Sequence, residues 1–238
     1  MNKRLTILKN VAMLLNDGDY VNLGVGLPSG VSQFIPEDRT VFLHAENGLL
    51  GERTVIPVEN DQRKRWEEAH CGPGTGWKTG HKDLINAGCR YVTAVPGACC
   101  FDSATAFIMA RGGHLDATVL GGLQVDVHGD LANWMVPGKS IPGMGGAMDL
   151  VSGAKRVIVA MEHCAKDGSF KLLEQCTYPL TARACVDTVV TDMCIIQVGG
   201  GKFTVTAMAA GLTREELQSK TGAGLNFADD MGEMYTVE

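Results

Sequence analysis

The sequence predicts an α/β fold: an open, largely parallel sheet with flanking helices. Three observations carry this. Short apolar runs of strand length alternate along the chain with stretches of helical periodicity, as in βαβ units. The strand-like runs stop at clusters of Gly, Pro and Asn, the punctuation expected at turns. The composition is that of a globular domain: 238 residues, 45% apolar, 20% charged and a net charge of −6. That is enough chain to bury a core.

Taken in order, Leu5, Leu8, Val11, Ala12 and Leu15 recur at helical spacing, so residues 3–15 read as an amphipathic helix. Asn16-Asp17-Gly18 ends it, and Tyr20–Leu23 is a short strand. Gly24-Val25-Gly26-Leu27-Pro28-Ser29-Gly30 follows, with Pro28 suited to the first turn of a helix through about Ile35. Thr40–Leu43 is a second strand, stopping at His44-Ala45-Glu46-Asn47-Gly48. Residues 52–82 are polar, charged and then glycine-rich, and read as an inserted surface segment or lid. Tyr91–Val95, Ala117–Leu120, Arg156–Met161, Val186–Thr191 and Phe203–Thr206 are further strands, and Ser103–Ala110 is helix-like. Thr213 with Glu216 makes a capping box for a helix over 214–220. The acidic, Gly-rich stretch after Lys220 is expected to be loosely ordered. With no short internal repeat and no linker, residues 1–238 read as a single domain.

Several function classes fall away on composition. A nucleic-acid surface needs clustered excess Lys and Arg, and here 27 acids outnumber 21 bases. No apolar run approaches the roughly 20 residues of a membrane span. Lys9 and Asn10 interrupt any signal-peptide core, so a cytoplasmic protein is expected. The eight cysteines lie mostly beside apolar neighbours, such as Phe101, Val186 and Ile195, and are expected as reduced core thiols. Neither C-x-x-C nor H-E-x-x-H occurs, and no metal site is expected.

Two loops carry the chemical interest. Gly24-x-Gly26 follows a strand and precedes a helix, and Glu46 lies 20 residues past Gly26. That is the setting of a dinucleotide fingerprint. The third glycine is misplaced, however, giving G-x-G-x-x-x-G with Pro28 inside. A tight turn without ligand, or a backbone cradle for another anionic or carbonyl group, remains open. In the second loop an apolar strand leads straight to Glu46, and Asn47-Gly48 favours a sharp turn with positive φ. Such a carboxylate stands either in solvent or at the C-terminal edge of a parallel sheet, where α/β proteins place ligands.

The stretch Leu43-His44-Ala45-Glu46-Asn47-Gly48-Leu49-Leu50-Gly51 resembles the Ser-Glu-Asn-Gly signature of the family I coenzyme A transferases. It is most similar to their beta subunit, or to the C-terminal half of the fused forms, with Ala45 in place of the usual Ser. Gly24–Pro28 resembles the family's G-x-G-x-P loop. Asp83–Gly88, Val95–Ala98, Arg111–Asp116, Leu120–Asp126, Leu131–Lys139, Gly143–Leu150, Met161–His163 and Pro179–Thr181 extend the likeness over nearly the whole chain. The stretch between Gly51 and Asp83 is longer than in typical members.

The resemblance implies the family's NagB/RpiA-like fold and a ping-pong exchange through a glutamyl-CoA thioester on Glu46. Gly146 would donate an N–H to the oxyanion, with Gly145 and Ala147 beside it. Gly24, Val25, Gly26, Leu27 and Pro28 would line the thioester end and the pantetheine arm. Asn47, Gln124, Asn133 and Lys139 are further candidates for CoA or wall contacts. His44, His114 and His163 read as structural. No cofactor is implied beyond coenzyme A as part of the substrate. An alpha subunit would complete the site in an αβ or α2β2 assembly, and the acids would be short-chain carboxylic or 3-oxo acids. The alternative on the same scaffold is an acyl-CoA or ring-opening hydrolase.

Overall fold

The structure is a computed structural model that describes residues 2–72, 79–138 and 143–238. Its helices are α1 (Lys3–Met13), α2 (Arg63–Ala69), α3 (Ser103–Arg111), α4 (Ala147–Gly153) and α5 (Arg214–Ser219). Its strands are β1 (Tyr20–Leu23), β2 (Phe42–Ala45), β3 (Leu49–Val55), β4 (Val92–Cys100), β5 (Ala117–Gly121), β6 (Gln124–Asp126) and β7 (Leu131–Ala132). They continue with β8 (Val157–Ala160), β9 (Leu172–Leu173), β10 (Thr188–Val190), β11 (Cys194–Gly199), β12 (Lys202–Met208) and β13 (Leu225–Glu233). The helix expected from Pro28 is present as a 3₁₀ helix, Pro28–Phe34.

Among the described residues, ten strands form one sheet in the order β13-β12-β11-β10-β8-β5-β1-β2-β3-β4, and β7-β6-β9 form a second, small sheet. The centre of the large sheet is parallel, from β10 through β8, β5 and β1 to β2. Antiparallel pairs flank it on both sides. The expected α/β fold is therefore found, with its parallel strands in the middle, where both faces are covered.

Alternation along each central strand sends side chains to two cores. Val21, Val119, Ile158 and Val190 pack with Ile7, Leu8, Val11 and Leu15 of the first helical stretch. Leu120, Val157, Val159 and Val189 pack on the opposite face with Ala110, Leu150 and Val151 from α3 and α4. Asn2 caps α1 by accepting from the Leu5 N–H at 3.1 Å. The Thr213–Glu216 capping box is present at α5.

Three expectations need correction. Residues after Lys220 are not loose: β13 pairs in parallel with β12, Met234 is buried, and Asn10 bonds the Tyr235 backbone in both directions. Backbone pairing orders this strand, and its acidic side chains face outward, so composition gave no sign of it. The cysteines are free, but only Cys194 is buried, while Cys71, Cys89, Cys99 and Cys100 are exposed. An apolar sequence neighbour in a strand points to the other face. Residues 52–55, expected to open an inserted surface segment, belong to β3, where Glu52 is buried while Arg53 and Thr54 are exposed. α2, further on, buries none of its residues.

Candidate active site

The parallel strands all end at one sheet edge. There β1 runs into Gly24, β2 into Glu46 and β5 into Gly122, and these loops meet around a cavity of about 340 Å³. This is the crevice at the carboxyl ends of the strands where α/β folds bind ligands.

Glu46 reaches the cavity because β2 ends one residue earlier and the chain turns back at once. The Gly48 N–H donates to the Ala45 carbonyl at 3.0 Å, and Ala45 pairs with Leu49 of β3. Gly48 adopts φ +108°, and a Cβ there would collide with the Phe101 carbonyl, so this tip accepts only glycine. The Phe101 N–H in turn donates to the Gly48 carbonyl at 2.9 Å.

The Glu46 carboxylate is half-buried and accepts no hydrogen bond among the described residues. Its pKa is raised, first by burial and then by the nearby Asp149 carboxylate. Gly146, the residue before α4, lies directly against it. A Cβ at Gly146 would strike the Glu46 carboxylate and stand 2.8 Å from the Phe107 ring. The Gly146 carbonyl accepts from the Asp149 and Leu150 N–H groups. Its own N–H has no acceptor among the described residues.

Of the residues singled out from sequence, Glu46, Gly24, Val25, Asn133, Gly145, Gly146 and Ala147 line this one cavity. Asn133 is anchored there by Thr181, whose hydroxyl donates to its Oδ1 at 2.6 Å. Leu27 and Gln124 instead line a neighbouring cavity of about 600 Å³, which shares Gly121, Gly122 and Leu123 with the first. Gln124 spends its amide on the Thr177–Tyr178 backbone and the Thr177 hydroxyl. Gly26 and Pro28 line neither; the Gly26 carbonyl accepts from the Ser29 hydroxyl, and Pro28 opens the 3₁₀ helix. Asn47 points away and donates to the Ile85 carbonyl at 2.8 Å. Lys139 lies outside the described residues.

Sequence reasoning passed over Asn22, Ala87, Met144 and the Gly121-Gly122 pair as site residues, and all line the cavity. A glycine pair at the end of an apolar strand was a usable signal for the last. Asn22 is buried and donates to His44 Nδ1 at 3.1 Å and to the His44 carbonyl. Burial lowers the His44 pKa, and Asn22 holds the ring with Nδ1 as acceptor. Asp149 acts on Glu46 from α4, far along the chain, which local sequence does not reveal.

The larger cavity is lined by Arg4, Lys166 and Lys171 as well as Glu162 and Asp167. Burial pushes the Lys171 amine down to about 8.

Comparison with known proteins identifies the family. Residues 4–220 match the Coenzyme A transferase family. The acetate CoA-transferase subunit beta of Escherichia coli K12 is 47% identical over 231 residues, covering 97% of each chain. A human mitochondrial succinyl-CoA:3-ketoacid coenzyme A transferase is 42% identical over 236 residues, which are 98% of this chain but 42% of that protein. Among solved structures, the acyl-CoA transferase apoenzyme of Escherichia coli O157:H7 superposes with a TM-score of 0.72 at 18% identity, over 98% of this chain and 43% of that one. The residues from Arg4 to Lys220, folded around the Glu46 cavity, belong to the coenzyme A transferase family.

Proposed function

We propose that this chain is the subunit of a CoA-transferase that carries the covalent chemistry, with Glu46 as the carrier. One observation supports this most: the half-buried Glu46 carboxylate lies against Gly146, and neither that carboxylate nor the Gly146 N–H has a hydrogen-bond partner among the described residues. In the first step the carboxylate attacks the thioester carbonyl of an acyl-CoA. The C–S bond breaks, leaving a mixed anhydride and CoA thiolate. The thiolate then attacks the Glu46 carbonyl, forming the glutamyl-CoA thioester and releasing the first acid as carboxylate. A second carboxylate reverses both steps and leaves as its CoA ester. Atoms and charge balance with these reactants alone.

A carboxylate is a weak nucleophile, so the site must align it and strip it of water. A half-buried position without hydrogen bonds serves that purpose. Each tetrahedral intermediate places charge on an oxygen, and the Gly146 N–H is the donor this chain offers. A second donor, a glutamine side chain, would come from an alpha subunit, as the family resemblance implies.

The adjoining larger cavity suits the pantetheine arm and phosphates of CoA. Its Arg4, Lys166 and Lys171 supply cationic groups, and the shared Gly121-Gly122-Leu123 wall joins it to the thioester end. The small Glu46 cavity suits a short-chain carboxylic or 3-oxo acid. Two exposed apolar side chains, Val25 and Met144, line this cavity, and a partner subunit would cover them. The relative whose length this chain covers by only 42% would carry that partner fused.

The assay is CoA transfer from acetyl-CoA to a panel of short-chain and 3-oxo acids, using the complex with the partner subunit. Glu46→Ala is expected to cut exchange by about 10⁴-fold or more, as loss of a nucleophile does, with assembly intact. Full exchange in that variant would remove the mechanism. Thioester loss at the wild-type rate without any acceptor acid would favour a hydrolase.

A further inference from the structure

The chemistry above leaves the segment after β3 without a task. It leads into the Ile85–Arg90 loop, which supplies Ala87 to the wall of the Glu46 cavity and places Gly88 near Val25. This loop is tied on three sides. Asn47, the neighbour of Glu46, donates to the Ile85 carbonyl. Asn86 closes the loop on itself: its Oδ1 accepts from the Gly88 and Arg90 N–H groups at 3.0 and 3.1 Å, and its own N–H donates to the Arg90 carbonyl at 3.0 Å. That closure goes with a left-handed Cys89 at φ +55°. From outside, α2 grips Tyr91. The Tyr91 hydroxyl donates to Glu67, Arg63 lies over its ring at 5.6 Å, and the Trp66 ring packs on it, tilted by 32° with centroids 4.2 Å apart.

The remaining Asn86 group, Nδ2, donates to Glu52 Oε1 at 2.9 Å. Glu52 is only 7% exposed and sits on β3 between Leu43 of β2 and Ala94 of β4. A carboxylate buried in a sheet with one hydrogen-bonding side chain costs stability that an apolar residue would not. Its presence therefore points to a task other than packing.

We propose that Glu52 is a positioning residue: through Asn86 it fixes the Ile85–Arg90 loop as one wall of the cavity that receives the acyl end of the substrate, while α2 braces the same loop from outside. This rests on the Glu46 cavity being the reaction site. Glu52 does not touch the reacting atoms, so its loss should act on substrate binding more than on chemistry.

Two readouts test it, on the complex with the partner subunit and with acetyl-CoA as the probe. Glu52→Leu is expected to raise the KM for acetyl-CoA about tenfold with kcat within about threefold, the size of one hydrogen bond to a charged group. Glu52→Gln keeps an acceptor for Asn86 and should stay near wild type. Asn86→Ala should reproduce the Glu52→Leu effect, and the double variant should be no worse than either single. The second readout needs no turnover. Amide hydrogen exchange at Gly88 and Arg90 should be slow in wild type and Glu52→Gln, and fast in Glu52→Leu and Asn86→Ala. A lowered Tm with unchanged KM and unchanged protection would overturn the proposal. Should Glu52→Leu fail to fold, an unchanged KM in Asn86→Ala would overturn it equally. If the wild-type complex transfers no CoA, the reaction-site reading fails, and the exchange data still report separately on the Glu52–Asn86 tie.

Discussion

Glu46 carries a tension that can be measured. Burial and the Asp149 carboxylate both favour its protonated form, whereas attack on a thioester needs the carboxylate. On the proposed mechanism, its raised pKa means that the reactive form is lost, as pH falls, earlier than for an ordinary glutamate. Folded protein then holds this proton more tightly than unfolded chain, so the Glu46 contribution to stability declines as pH rises through the folded pKa. Removing the like charge should relax this. Asp149→Asn is expected to move the acid limb of the kcat/KM profile to lower pH, and an unmoved limb would show that Asp149 is not felt at Glu46. Gly146→Ala is the complementary test. Its Cβ would collide with the Glu46 carboxylate and the Phe107 ring. Alanine keeps the N–H but displaces the Glu46 carboxylate, so exchange should fall by about 10²-fold, the scale of a misplaced reacting group. At this scale much of the site was legible, because Gly24, Glu46 and the Gly145-Gly146-Ala147 run are local breaks in strand or helix patterns. Asp149 was not, since its effect on Glu46 arises from how α4 packs beside the end of β2.

The turn between β2 and β3 determines where Glu46 points. Asn47-Gly48 announced it, and Gly48 does hold φ +108° against the Phe101 carbonyl. Gly48→Ala combines backbone strain with a collision against backbone that cannot yield. It should destabilise the chain by at least about 2 kcal/mol, read from urea unfolding, and a variant as stable as wild type would show that the tip can rearrange. Elements with strong local chemistry were readable: α1 by its apolar spacing, α5 by its capping box, β5 and β8 by their apolar runs. β13 was not, because its order comes from parallel pairing with β12 and from bonds between Asn10 and Tyr235. Proline at the first turn announced the helix at Pro28–Phe34 but not its 3₁₀ form, since proline suits the start of either kind.

On the scale of the whole molecule, strand order is what makes a site. β1, β2 and β5 are adjacent and parallel, so their carboxyl ends deliver Gly24, Glu46 and Gly121-Gly122 to one edge. Alternation of strands and helices predicted the class of fold, but that adjacency rests on long-range pairing that no local pattern encodes. α1 covers one face of the sheet and α3 with α4 the other, leaving the edge open between Val25 and Met144. On the proposed function, this open edge is where a second subunit would shield a thioester from water. The most direct measurement exposes the assembled complex to acetyl-CoA without an acceptor acid and determines the mass of the peptide carrying Glu46. A CoA-sized adduct on Glu46, discharged when an acceptor acid is added, is the predicted result. Continued CoA transfer between acids with Glu46 unmodified throughout would contradict the account.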